Sequence, residues 1–270
     1  MTTARMALTW DHPTWRQQAV KFWTLLWALV NRDVRSRFRR SILGPAWAIL
    51  RPAFMMVVFS VLRGFVNIPS DGIPYPIFIY SVLVPWTFFT TVVNGCAPSI
   101  ISNSGILKKM AVPCQVFPLA AAVTAGFDLL MSGLVLGGMM LWFRVPVGWS
   151  LLWLPVLIVL TGTLALAVGM ALTSLGIFKR DFLTAGGYLV QLWMYATPII
   201  YPLSSVPEGW RWLYVLNPMV GILEGFRSIL VRGQAPDLVL LGWALPGIAL
   251  ALLVAWPLFR VMSQYFADVL

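Results

Sequence analysis

Tyr188-Leu189-Val190-Gln191-Leu192-Trp193-Met194-Tyr195-Ala196-Thr197-Pro198-Ile199-Ile200-Tyr201-Pro202-Leu203 begins as a membrane helix would and then breaks. Val206-Pro207-Glu208-Gly209-Trp210 follows. A second apolar run, 212–226, is interrupted by Asn217-Pro218 and Gly221, and it carries Glu224 with Arg227 just beyond. This stretch is too broken for a comfortable span and too aromatic for a water-facing loop. Irregular backbone at membrane depth survives only where protein or a water-filled cavity satisfies its polar groups. Interrupted apolar segments of this kind mark the binding region of transporters, so the stretch predicts a re-entrant gate in a transport protein.

Working outward, the chain has 270 residues, 60% hydrophobic and 10% charged, with a mean hydropathy of +0.84. Soluble domains carry about 25% charged residues, so an integral membrane protein is the class that fits. The net charge of +10 is read as orientation in the bilayer rather than as nucleic-acid binding. Residues 1–40 are amphipathic and basic, without the apolar core and small-residue cleavage site of a signal peptide. Cys96 and Cys114 share no metal or redox spacing and read as packing residues.

A bilayer core needs about 20 apolar residues per helix. The runs 45–62, 77–100, 116–143, 151–178, 182–201 and 238–259 approach or meet that length, giving six spans in one transmembrane domain over 1–270. Within 15–40, Trp23, Leu26, Trp27, Val30 and Val34 recur at helical spacing, which predicts a helix lying in the membrane interface. Arg32, Arg35, Arg37, Arg39 and Arg40 then place five arginines in nine residues. They suit anionic lipid, docking on a cytosolic partner, or both. Only Arg63, Arg144, Arg211, Arg227 and Arg232 fall on the opposite side of the six-span layout, so the positive-inside rule makes both termini cytoplasmic.

Chemistry-bearing residues are few. One histidine and nine acids form no catalytic set, no clustered metal ligands and no phosphate loop of the Walker type. Asp128 lies mid-span beside Gly126, Ser132 and Gly133, where a structural hydrogen bond competes with a proton relay. Glu224 and Arg227 are three apart on an expected helix and share a face, as a gate lock or as a solvated pair. Two aromatic patches, Trp86, Phe88 and Phe89 with Pro85, and Trp193, Tyr195 and Tyr201, suit either an interfacial belt or a sugar-lining path. The loop 102–113, with Ile106, Leu107, Lys108 and Lys109, is amphipathic and suits a groove on a soluble partner.

Taken in order, these residues resemble the permease subunit of ATP-binding-cassette exporters of cell-surface polysaccharide of the O-antigen, capsule or teichoic-acid kind. The resemblance rests on Arg32-Asp33 with Arg37-Phe38-Arg39, Leu43-Gly44-Pro45-Ala46-Trp47 and Val84-Pro85-Trp86-Thr87-Phe88-Phe89. It continues with Lys108-Lys109 and Pro113, Arg180-Asp181, Pro198-Ile199-Ile200-Tyr201-Pro202, Asn217-Pro218-Met219, Glu224-Gly225-Phe226-Arg227 and Tyr265-Phe266-Ala267-Asp268. It covers nearly the whole chain. The resemblance implies a homodimer bound to two separate ATPase chains, which hold the ATP and magnesium, with no cofactor on this chain.

The same resemblance makes 102–113 the ATPase-coupling loop and 204–232 the external gate, including Asn217, Pro218, Glu224 and Arg227. It makes the aromatics the lining of a sugar channel in a bacterial cytoplasmic membrane. One departure is visible: Cys114-Gln115 stand where the family often carries a basic residue. Competing readings are an exporter of a small drug or lipid, a membrane enzyme acting on lipid-linked sugars, and a passive scaffold.

Overall fold

The computed structural model describes residues 15–39, 44, 46–109, 112–146 and 148–270. Among them the regular structure is entirely helical, with no strand. The order is α1 (Trp15–Arg39), α2 (Ala46–Val66), α3 (Tyr75–Ile101), α4 (Ser104–Lys109), α5 (Val116–Trp142), α6 (Leu154–Gly176) and α7 (Asp181–Tyr195). Then come α8 (Glu208–Val215), α9 (Pro218–Arg227), α10 (Leu238–Met262) and α11 (Phe266–Val269). A 3₁₀ turn, Trp149–Trp153, leads into α6, and a π turn, Ser228–Arg232, extends α9.

Among the described residues, five helical stretches, α2, α3, α5, the 3₁₀ turn with α6, and α10 with the helical turns after it, are long and apolar enough to cross a membrane. A sixth passage exists only if α8 and the α9–π segment, bent by 101° to one another, count as one broken span. The run expected to span at 182–201 is different in the structure. α7 is 15 residues long, roughly 22 Å at 1.5 Å per residue, short of a hydrocarbon core of about 30 Å. Thr197, Pro198 and the following turn end it, because Pro198 withholds the amide that would continue the ladder.

α3 is the central helix. Its residues are buried over most of its length, and it packs against α2, α5, α6 and α9. Close approach to α6 depends on Gly169, where a Cβ would stand 2.5 Å from Cys96 Sγ. Small residues at such crossings let membrane helices pack backbone to backbone. Four buried hydroxyls are satisfied locally: Ser81 donates to the Phe78 carbonyl, and Thr161, Thr173 and Ser174 to carbonyls four residues back.

A second, separate core closes the Lys108 end of the bundle. Leu26, Leu29 and Val30 of α1 pack there with Ile100, Phe117, Ile177, Phe259 and Phe266. The apolar residues of α1 therefore divide. Trp23 and Trp27 face outward, while Leu26, Leu29 and Val30 turn inward, so the single apolar face expected from spacing is two adjacent faces.

Candidate functional site

Two clusters occupy the broken stretch between α7 and α10. The first is a charged knot. Arg227 Nη1 donates to Glu224 Oε2 at 2.8 Å, and Arg232 Nη1 donates to Glu224 Oε1 at 2.8 Å. Arg232 Nη2 reaches Asp71 Oδ2 at 3.2 Å, while the Ser204 hydroxyl donates to Asp71 Oδ1 at 2.9 Å. Arg227 is fully buried. Its Nη2 donates to the carbonyls of Pro198 and Ile199, at 3.0 and 3.2 Å, and its guanidinium lies 4.1 Å from the centre of the Phe78 ring. One guanidinium thus ties the carbonyls exposed where α7 breaks to a carboxylate on α9 and an aromatic face on α3. A buried cation is tolerated only with this kind of pairing.

Helix caps set this geometry. Asn217 caps α9, its Oδ1 accepting from the Met219 amide at 3.1 Å, and Pro218 takes the first helical position, where its missing donor costs nothing. Asp237 caps α10 in the same way, accepting from Val239 and Leu240. Between them Gly233 adopts φ +66° beside the Pro146 carbonyl, a conformation and a contact that leave no room for a Cβ.

The second cluster is an aromatic cavity of 830 Å³, lined in part by Trp193, Tyr201, Trp210, Tyr214, Asn217 and Pro218. Asn217 links it to the helices. Its Oδ1 also accepts from Trp193 Nε1 at 3.0 Å, and its Nδ2 donates to Thr197 Oγ1 at 2.9 Å. The hydroxyls of Tyr201 and Tyr214 share a hydrogen bond of 2.8 Å. The cavity therefore offers aromatic faces with neutral polar tips, the arrangement that packs on sugar C–H faces and bonds hydroxyls.

At the other end of the bundle, Arg32 joins α1 to the α3–α4 junction. Its Nη1 donates to Asn103 Oδ1 at 2.7 Å, and Asn103 Nδ2 donates to the Ser99 carbonyl at 2.7 Å. Asp33 holds the same guanidinium at 2.8 Å. Ile106 and Leu107 of α4 are half-buried on the second core, leaving Lys108 and Lys109 exposed. Burial pushes the Cys114 thiol above its ordinary value, and its Sγ lies 3.7 Å from the Ser263 carbonyl.

Residues 24–231 match the family described as ABC-2 type transporter. The chain belongs to the ABC-2 type transporter family. Similar proteins include the O-antigen export system permease protein RfbA of Myxococcus xanthus, 34% identical over 90% of this chain and 94% of that protein. A Klebsiella pneumoniae protein of the same name is 25% identical over 91% and 95%. The polysialic acid transport protein KpsM of Escherichia coli is 24% identical over 88% and 93%.

In this permease the residues singled out from sequence fall into three groups. Glu224 and Arg227 do meet, and Asn217, Pro218, Trp193 and Tyr201 come together at the cavity. Trp86, Phe88 and Phe89 are instead packed inside the bundle, Trp86 and Phe89 at 5.4 Å and Phe89 edge-on to Trp193 at 5.3 Å. They shape the core behind Trp193. Tyr195 is exposed on α7. Asp128 is half-buried one turn from Ser132, whose hydroxyl donates to the Ala48 carbonyl of α2 at 2.7 Å. Arg35 is exposed; the side chains of Arg37 and Arg39, and Arg40 altogether, lie outside the described residues.

Asp71, Arg232, Asn103 and Tyr214 are the residues that sequence reading missed. Asp71 sits in a Pro-Ser-Asp-Gly turn and Arg232 between the 212–226 and 238–259 apolar runs, so neither has a local signal of partnership. The permease brings them together only by folding α9 back onto the start of α3.

Proposed function

We propose that this permease is the membrane half of an ATP-driven exporter carrying a lipid-linked cell-surface polysaccharide, O-antigen first among the candidates, from the cytosol across the bacterial cytoplasmic membrane. The aromatic cavity with its uncharged polar tips carries the reading, and the export and transport roles of the relatives named above support it. Two copies of the chain pair, and two ATPase subunits bind at the Lys108 end, holding the ATP and magnesium. That end faces the cytosol, as the arginines of α1 and the exposed Lys108, Lys109, Lys179 and Arg180 favour.

On this reading, α4 seats in a groove of the ATPase and moves with it. Arg32 and Asn103 transmit that motion to α1, and the α8–α9 region opens at the outer face. The Glu224 knot keeps the re-entrant turn closed between cycles.

Deleting the chain in its native host tests the proposal. The expected result is loss of surface polysaccharide, accumulation of the lipid-linked polymer inside, and recovery of a stoichiometric ATPase with the tagged chain. Unchanged surface polysaccharide without internal polymer would overturn it.

A further inference from the structure

α4, which on the exporter reading seats in the ATPase, has only six residues. A helix that short is not stable by itself, so its place is imposed by what packs on it. Arg32 holds its entrance through Asn103. Among the described residues, the helix most extensively packed on it is α11, at the far end of the sequence. Ile106 and Leu107 of α4 lean on the second core, and Phe266 of α11 lies fully buried inside that core.

Phe266 has two ring neighbours. Phe259 of α10 meets it edge-on at 5.7 Å, which ties α11 to the last span. Phe178, in the turn between α6 and α7, lies at 6.1 Å and is inclined by 53°. Ring pairs at such distances attract beyond the area they bury. Past Phe178 the packing is tight. A side chain at Gly176 would meet Leu183, and a Cβ on Gly186 would stand 2.8 Å from Leu172. Interiors packed this closely transmit a push rather than absorb it, so α6 and α7 shift together. α7 then runs to the contacts that hold its broken end: Trp193 on Asn217, and the Pro198 and Ile199 carbonyls on Arg227.

We infer that Phe266 and Phe178 are positioning residues that pass a displacement of α4 to α7, with the C-terminal helix α11 as the strap between them. This is a second route beside Arg32 and Asn103, and it rests on the reading of α4 as the ATPase contact. Phe178 is exposed, so shortening it breaks the link without opening the core.

The test uses the full chain with its ATPase in native membranes. Phe178→Ala should keep wild-type membrane abundance and ATPase recovery while lowering the polysaccharide exported per ATP hydrolysed about fivefold. Phe178→Tyr, which keeps the ring, should match the unaltered chain. Phe266→Ala should show the same loss of yield per ATP, and the double variant no more than the larger single loss, since both changes break one link.

Unchanged yield per ATP in Phe178→Ala, or losses that multiply in the double variant, would overturn the link and leave the exporter reading standing. Loss of ATPase recovery in Phe178→Ala would make Phe178 a docking residue and overturn it as well. If Phe266→Ala fails to insert, the two Phe178 variants decide alone. An unaltered chain that recovers no ATPase would remove the exporter reading and the link with it.

Discussion

Arg232, at the end of the π turn, bonds Asp71, which lies 161 positions earlier in the loop before α3, at 3.2 Å. The contact pins the far end of the α8–α9 segment to the start of the central helix. Both side chains are about one-third exposed, so the pair itself contributes about 0.2–1 kcal/mol and is screened by salt. Asp71→Asn should therefore change thermal stability in detergent little, and less at high salt. Its larger effect should be more frequent release of the α8–α9 segment, read as faster proteolysis between α8 and α10. Protection equal to wild type would argue that Asp71 is only a surface partner.

Glu224 is the stronger point of failure. Its two oxygens separately hold Arg227 and Arg232, and Arg227 is fully buried. Removing one partner of a buried pair costs about 3–5 kcal/mol. Glu224→Gln should lower the melting temperature in detergent clearly and abolish export. Arg227→Lys should fare nearly as badly, since an ammonium cannot span Glu224 and two carbonyls with a planar fork. Wild-type melting of either variant would contradict the knot.

Asn217 serves three partners at once. Replacing it with alanine loses the α9 cap and leaves the Trp193 indole N–H unpaired, a cost of about 1–3 kcal/mol. Trp193→Phe should cost less, because it removes the donor along with the bond. Thermal unfolding of the two variants side by side checks the order, and the reverse order would refute the assigned geometry.

Asn103→Ala should leave the permease abundant in the membrane while reducing the polysaccharide exported per ATP hydrolysed by its partner. Lys108→Glu combined with Lys109→Glu should uncouple ATPase from export more completely. Measured together, the two variants separate docking from transmission. Normal coupling in the double variant would remove α4 from the ATPase interface.

Gly233→Ala should impair folding, since φ is +66° and the Pro146 carbonyl occupies the space a methyl would need. Gly209→Ala, with open space around it, is the matched control for membrane abundance. Equal abundance would refute the steric argument.

The sequence by itself determined that this is a helical membrane protein, because 60% hydrophobic residues and long apolar runs leave water no surface to prefer. It also determined where the chain must break. Pro198, Pro202, Pro207 and Pro218 remove backbone donors whatever surrounds them, and Glu224 and Arg227 share a face through helix geometry alone.

Tertiary structure decided what periodicity does not encode. Residues 182–201 carry enough apolar character for a span and Pro198 cuts it short, but only the fold supplies the partner of the carbonyls left free there, Arg227 of α9, which donates to Pro198 and Ile199. Trp86, Phe88 and Phe89 read as readily for a channel as for a core, and only the packing of α3 at the centre of the bundle settles which face they take. Asp71 and Arg232 have no local relation, so their pairing depends on a fold-back whose long-range contacts exist only in the assembled bundle.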